Sequence, residues 1–310
     1  MSATSMSSTE RSTEPLVSIG MPVRNGARHI EQAIDSVLAQ SLGDFELIVS
    51  DNASTDATPE IVQRYMQRDA RIRYQRLEIN QGVSPNWNAV ALAARGRYFK
   101  WLAGNDEMAP GLLEQCVRVL QTRPDVVLAY GRTRWMDADG KLLDLCEEDF
   151  AVLDDSPAQR FGHVARDLSI NNQINASVMR LHALRQTGLL GAFPTDDLVL
   201  MAELALRGKF VLLPTELFRR RTGAEVSTPN RSEMQVAVHH NPRAARPFRF
   251  LRLRRQAARY AACWRAPLPP GERLRALLAA TGLLIEAWQR RQNRALTWLS
   301  MRTRRATEKP

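Results

Sequence analysis

Short apolar runs alternate with amphipathic helical patterns through the N-terminal part of this chain, and that alternation constrains its fold more than any other feature. Leu16–Met21 reads as a strand closed by Pro22, and Phe45–Val49, Ile72–Leu77, Tyr98–Leu102 and Val126–Ala129 read as further strands. Between them Ile30, Ala33, Ile34, Val37 and Leu38 fall at helical spacing. A second helix near Asp56–Arg68 buries Ile61, Val62, Tyr65 and Met66. A third spans Trp87–Arg95, and a fourth runs from Pro110 to Gln121 with proline in its first turn. Strands joined through helices imply crossover units, hence a mostly parallel sheet flanked by helices, a Rossmann-like α/β fold. Polar ligands of such sheets bind outside the carboxyl ends of the strands. The informative residues are therefore expected in the loops that follow strands.

The later chain is less regular. Trp135–Gly140 reads as a strand entering a turn, Asp197–Arg207 as a helix ended by Gly208, and Lys209–Leu213 as a strand. Residues 247–265 and 271–301 look helical and arginine-rich. In the second of these, Leu274, Leu277, Leu278, Thr281, Leu284, Ile285 and Trp288 form an apolar stripe opposite arginines. Of 43 Lys and Arg and 33 Asp and Glu in the 310 residues, residues 243–310 hold 17 and 3, so the body before them is slightly acidic. A basic segment of this kind suits anionic lipid, nucleic acid or an acidic partner, and no nucleic-acid recognition motif accompanies it. Its helices are expected first to pack on the body, and next to lie on an anionic membrane surface.

Three divisions follow: a Ser/Thr-rich tail over 1–14, a catalytic-size α/β domain over 15–242 (split at 110 and 111), and a basic helical extension over 243–310. Cys116, Cys146 and Cys263 show no metal or disulfide spacing, which suits a reducing cytoplasm. No apolar run reaches the length of a membrane span.

Two polar loops carry the candidate chemistry. Ser50–Asp56 follows the second strand, where a carboxylate could accept N–H bonds from a base ring. Taken alone, it better suits a turn with Ser54, Thr55 or Asp56 capping the next helix. Ala103-Gly104-Asn105-Asp106-Glu107 follows the fourth strand, and its oxygens suit a hard divalent cation shared with phosphates. Two acidic loops at corresponding strand ends tip the balance toward a ligand site.

The run from Pro15 to Gly26, the helix with Ala33–Ser41 and the Asp51–Asp56 loop resemble, in order, the opening of family 2 glycosyltransferases. Asn80-Gln81-Gly82, Asn86-Trp87-Asn88 and Ala94–Trp101 continue the likeness into the second acidic loop. Asp197–Gly208 resembles the family's acidic helix beneath the acceptor, so the resemblance spans residues 15–221. It implies a GT-A fold and transfer of a sugar from a nucleotide-sugar donor of UDP, dTDP or GDP type to a glycan or lipid-linked acceptor, with inversion. The setting it implies is polysaccharide or O-antigen assembly at the cytoplasmic face of a membrane, with peripheral membrane contact through 243–310 and no nucleic acid.

The same resemblance implies roles. Pro22, Val23, Arg24, Asp51, Asn52, Asn80, Gly82 and Asn86 would bind the donor nucleotide, with Asp51 on the base. Asp106, with Asn105, would hold Mg²⁺ or Mn²⁺ on the diphosphate, and Asp197 would be the general base, with Asp196 its rival. Two departures stand beside these roles. Ala103 and Asn105 occupy positions often held by Asp, and the family's later Arg-x-His element is replaced by Arg219-Arg220-Arg221-Thr222-Gly223. The three arginines could neutralise diphosphate directly. A non-catalytic nucleotide-sugar or glycan binder with a degenerate metal site is the alternative from another class. His239-His240 is read as a surface pair, Glu203 as structural, and Trp87, Trp101 and Trp135 as core or pocket wall. Asn172 and Asn175, in an amide-rich stretch, are candidates for acceptor hydrogen bonding.

Overall fold

The computed structural model describes residues 14–146, 150–166, 176–223, 233–240, 242–243, 249–286 and 289. The chain begins β1 (Val17–Val23), α1 (Ile30–Leu38), β2 (Phe45–Asp51), α2 (Thr58–Met66), β3 (Ile72–Arg76), α3 (Val83–Ala93) and β4 (Tyr98–Trp101). It continues β5 (Glu107–Met108), α4 (Leu112–Thr122), β6 (Val126–Met136), β7 (Leu142–Leu145), α5 (Pro157–Arg166), β8 (Ser177–Arg180) and α6 (Leu181–Arg185). Next come α7 (Asp196–Ala205), β9 (Lys209–Arg221), α8 (Glu233–His240) and α9 (Leu251–Arg265). A further helix, α10, covers 270–286 among the described residues. One nine-stranded sheet runs β3-β2-β1-β4-β8-β6-β9-β5, with β7 paired to β6.

The sheet is parallel across β3-β2-β1-β4, as the alternating patterns predict. Beyond β4 it is mixed: β8 runs antiparallel to both β4 and β6, and β6 pairs β9 in parallel. Pro22 does not close β1 but lies within it. The Gly20 carbonyl faces β4 and accepts the Leu102 amide at 2.9 Å. Pro22, two residues on, faces the same side after β4 has left, so its missing N–H interrupts no ladder. Gly20 also lets α3 lie close on β1, since a Cβ there would meet Val90 Cγ2 at 2.6 Å.

The fully buried side chains of β1, β2 and β4, with Ile34, Val37, Val62 and Val90 from the helices, form the core beneath the site. Each such aliphatic side chain contributes about 1.5–3 kcal/mol by leaving water. Met66 is the exception to the expected α2 face, being 38% exposed at the helix's last residue. β6 and β9 are longer than their apolar runs suggest, at 11 and 13 residues. Arg219–Arg221 are consequently strand residues with a fixed register against Arg134–Met136.

The basic extension packs on the body through α9. Glu203, fully buried on α7, accepts hydrogen bonds from Arg265 at 2.9 and 2.7 Å and from the Gly188 amide at 3.1 Å. Arg259 donates to the Ala165 carbonyl, and Gln256 to the Ala280 carbonyl of α10. The expected stripe on α10 faces inward only in part: Leu277 packs against the core and Thr281 lies 2.9 Å from the Tyr260 hydroxyl of α9, but the rest of its described residues do not. Ala276, Ala280 and Leu283 are buried instead, while Leu274, Leu278 and Ile285 are 59%, 61% and 51% exposed. The alanines permit a close helix approach that the leucines would prevent. Trp288 lies outside the described residues.

Candidate active site

The ends of β1, β2 and β4, the end of β9 and the helix α8 enclose a cavity of about 950 Å³. It opens beyond the carboxyl ends of the parallel strands, where the topology places a ligand site.

The loops that shape it are held by short polar side chains. Asn25 and Ala53 both take left-handed backbone angles, with φ of 52° and 58°. The amides of Asn25, Gly26 and Ala27 donate to Ser54 Oγ, Thr58 Oγ1 and Asp56 Oδ2 at 2.9, 2.9 and 3.0 Å. Asp56 Oδ1 in turn accepts the Thr58 amide at 3.1 Å. The Ser54–Thr58 run therefore staples the β1–α1 loop and makes a turn before α2, whose cap position is Ala57 with no side-chain cap bond, so the expected capping by Ser54, Thr55 or Asp56 is not seen. The three stapled amides are spent and do not form an anion nest.

Asp51, the last residue of β2, is fully buried behind the cavity wall. Its carboxylate accepts the Tyr74 hydroxyl at 2.7 Å and the Ser54 amide at 2.8 Å, with Arg76 Nε at 3.8 Å. It does not line the cavity, so the expected direct base contact is not available to it as placed. Asn52 takes that wall position. Its side chain donates to Asn80 Oδ1 and the Gly82 carbonyl at 2.9 and 3.0 Å and accepts the Gln81 amide at 2.8 Å. Pro22, Val23, Arg24, Asn80 and Gly82 line the cavity beside it. Asn86 lines it too, but its amide nitrogen is taken by the Ser50 and Val23 carbonyls, tying the ends of β1 and β2 together.

At the opposite wall stands Asp106, 2% exposed, whose Oδ1 accepts the Arg221 amide at 3.0 Å. The Arg221 guanidinium grips this loop from outside, donating to the carbonyls of Asn105, Asp137 and Ala138 and to Glu107 Oε1 at 2.9 Å. Burial pushes the Asp106 carboxyl up to about 6, although the Arg221 amide and the charges of Arg220 and Lys100 pull it down. Lys100, wholly buried beneath, is pushed down to about 7 by the same loss of water. Of the three arginines, Arg220 lines the cavity with its guanidinium 5.2 Å from the Trp135 ring. Arg219 is not part of the cavity wall and lies 3.9 Å from Glu107. Arg221 touches the wall but works as a clamp.

This donor set does not fit a divalent cation. Hard cations need oxygen ligands carrying negative charge. Asp106 is the sole carboxylate lining the cavity among the described residues, and one of its oxygens is already engaged. Ala103 contributes a methyl group, and Lys100, Arg220 and Arg221 surround the carboxylate with positive charge. No group of three His, Cys, Asp or Glu gathers as a metal set among the described residues.

Asp196 and Asp197 open α7. Asp196, 5% exposed, accepts the Ser84 hydroxyl at 2.7 Å and the amides of Ala192 and Asp197 at 3.0 and 2.9 Å. Asp197 is half-buried, and burial followed by the neighbouring Asp196 charge raises its carboxyl above the usual range. His240 approaches from α8, with Nδ1 3.4 Å from Ser84 Oγ. His239 lines the cavity with Met234, Gln235 and Val238. His239 is thus exposed at the cavity wall, and His240 is not part of that wall. Trp87, read as core or pocket wall, lines the cavity, whereas Arg28, His29 and the helix α8 had no part in the sequence reading; the signal available for α8 was Met234 and Val238 at i, i+4 spacing. Trp101 is core, as expected, and donates to the Trp87 carbonyl at 2.9 Å. Asn172 and Asn175 fall outside the described residues.

The model of glycosyl transferase family 2 matches residues 18–177. A chondroitin synthase of Pasteurella multocida is 30% identical over 129 residues, 42% of this chain and 13% of that protein. The matched stretch covers between 13% and 52% of the curated relatives' own lengths. Among solved structures, S. aureus TarS 1-349 in complex with UDP superposes with a TM-score of 0.60 at 14% identity, over 84% of this chain and 69% of that one. Its complex with UDP-GlcNAc gives 0.56, also at 14% identity, over 84% and 70%. The solved structures share the fold, and the family match, which spans more than half of the chain, establishes that it belongs to glycosyl transferase family 2.

Proposed function

We propose that this chain moves a sugar from a nucleoside-diphosphate sugar onto an acceptor hydroxyl, inverting the anomeric carbon, in the assembly of an envelope polysaccharide such as O-antigen. The observation that carries this reading is the cavity itself, a polar cleft at the ends of β1, β2 and β4; Asp196 and Asp197 do not line it, but Ser84, next to the lining residue Val83, bonds Asp196 at the start of α7. The names of the neighbours support it: TarS is solved with UDP and with UDP-GlcNAc, and the chondroitin synthase builds a polysaccharide.

In this mechanism Asp197 takes the proton of the acceptor hydroxyl as its oxygen attacks the anomeric carbon. The bond from that carbon to the diphosphate oxygen breaks, and the nucleoside diphosphate leaves with the electron pair. Burial and the Asp196 charge raise the proton affinity of Asp197, as a general base requires. Asp196 is a positioning residue, with its oxygens committed to Ser84, Ala192 and Asp197. Asn52, Asn80 and Gly82 form the nucleoside end of the cleft. The acceptor is a glycan or a lipid-linked sugar, reached at a membrane surface that the outward leucines of α10 and the arginines of 243–310 would contact.

The thinned acidic loop favours one rival, a protein that binds nucleotide sugar without turning it over. Nucleoside diphosphate release from a panel of UDP-, dTDP- and GDP-sugars, with a cell-envelope extract as acceptor source, separates the two. Release by the parent and its loss in Asp197→Asn, with donor binding kept, is the expected outcome. Equal turnover by the variant would remove Asp197 from the mechanism, and binding without turnover by the parent would leave the binder.

A further inference from the structure

Family 2 enzymes of this fold generally use a divalent metal, yet the Asp106 wall is built differently. We infer that guanidinium groups, with Arg220 at the centre and Arg24 and Arg28 at the rim, neutralise the donor diphosphate in place of a cation. This deepens the donor reading above and rests on it.

Three independent features of the wall lead here. The first is charge. The cavity is lined by Arg24, Arg28, Arg220 and Arg221 against the single carboxylate of Asp106 among the described residues. A dication entering at Asp106 would meet Lys100, Arg220 and Arg221 before any phosphate arrived, whereas a diphosphate would meet an opposite field.

The second is the use already made of Asp106. Its Oδ1 holds the Arg221 amide at 3.0 Å, and the Arg221 side chain ties Asn105, Glu107, Asp137 and Ala138 into one rigid turn. Asp106 thereby fixes the end of β9 and sets where the adjacent Arg220 emerges. The carboxylate serves to place the arginine.

The third is geometry. Side chains alternate along β9, so Arg220 departs from the face on which Arg219 and Arg221 meet Glu107. Its guanidinium is held 5.2 Å from the Trp135 ring, in the register that pairs these two residues across β6 and β9. A planar fork held in this way loses little freedom on binding two phosphate oxygens. The β1–α1 loop cannot substitute for it, because the amides of Asn25, Gly26 and Ala27 are already bonded to side chains. Positive charge in that loop comes from Arg24 and Arg28, the latter 3.6 Å from Asp139.

Calorimetry on the full chain with UDP, in EDTA and then in excess Mn²⁺ or Mg²⁺, tests the inference, with uridine as the probe lacking phosphate. The expected result is a UDP affinity that changes by less than about twofold between the two conditions. Arg220→Gln should weaken UDP by about tenfold or more, the loss of a charge-assisted fork, while leaving uridine affinity and the melting temperature near those of the parent. Mn²⁺ or Mg²⁺ tightening UDP by about tenfold would overturn the metal-free site and leave the donor reading standing. So would an unchanged UDP affinity in Arg220→Gln. If neither UDP, dTDP nor GDP binds in any condition, the donor reading falls and this inference with it.

Discussion

Ser84 at the start of α3 donates to Asp196 Oδ2 at 2.7 Å across 112 residues of sequence, joining the nucleotide half of the cleft to the acidic helix. That hydrogen bond separates the roles of the two adjacent aspartates. In Asp196→Asn the amide nitrogen cannot accept from the Ala192 and Asp197 amides, so at least one buried donor loses its partner. The expected cost is about 1–3 kcal/mol of stability, read from a denaturant midpoint, with a partial loss of turnover. Asp197→Asn should instead keep stability and lose turnover by about 10²–10⁴-fold, the range for a removed general base.

The pH response of Asp197 follows from its raised carboxyl. Turnover requires the ionised base, so the rate should fall as pH drops through a value above the ordinary carboxylate range. Stability runs the other way. A carboxyl whose folded pKa exceeds its unfolded one stabilises the fold most when protonated, and that contribution is lost as pH rises through the folded value. Rate profiles and melting curves between pH 4 and 7, roughly the carboxylate range and just above it, should therefore slope in opposite senses. Asp197→Asn should flatten its share of the stability slope. An acid limb of the rate profile at the ordinary carboxylate value would contradict the assignment.

Gly82 offers a separate handle on the roof of the cleft. Its φ is +92°, and a Cβ there would run into the carbonyl of His240 at the end of α8. With ψ at 175° its backbone lies in a region kept almost wholly for glycine, so Gly82→Ala combines strain of about 1–3 kcal/mol with displacement of α8 from the Asn52–Asn80 mesh. We expect weaker UDP binding together with a lower melting temperature. Retention of both would mean that α8 does not close over the donor.

The strands β1, β2 and β4 were legible because strands buried on both faces read as unbroken apolar runs, and the loops beyond them followed from topology. The far half of β9 was not. Pro214, Thr215 and Glu216 interrupt its apolar pattern, and only pairing with β6 keeps the chain extended to Arg221. Asp51 stands at the expected strand end, but its burial was not legible, since nothing in its own loop announces Tyr74 as a partner. On α10 the hydrophobic stripe was visible and its direction was not, because small residues chose the packed face.

The ion pair of buried Glu203 with part-exposed Arg265 should decide whether the basic extension stays docked. Glu203 also lies 3.4 Å from Arg207, which is almost fully buried, so removing the carboxylate leaves two guanidinium groups facing each other. Glu203→Gln should cost about 3–5 kcal/mol, the range for breaking a buried pair. Arg265→Ala should cost less, because Arg207 still compensates Glu203 and the Arg265 side chain is 40% exposed. Urea denaturation of both variants checks this order. Equal losses would mean that Arg207 contributes nothing to holding the charge.

Membrane contact can be tested on the outward face of α10. Leu274, Leu278 and Ile285 point away from the body on a segment rich in arginine, an arrangement suited to an anionic interface. The full chain should sediment with phosphatidylglycerol vesicles and not with phosphatidylcholine vesicles. Replacing the three side chains with serine should weaken that association by about tenfold or more, since each loses apolar area that the bilayer would cover. Their exposure means that the replacements should leave the melting temperature and UDP affinity unchanged. Binding that depends on salt alone, and is indifferent to the three serines, would assign the contact to the arginines and leave the leucines for a protein partner.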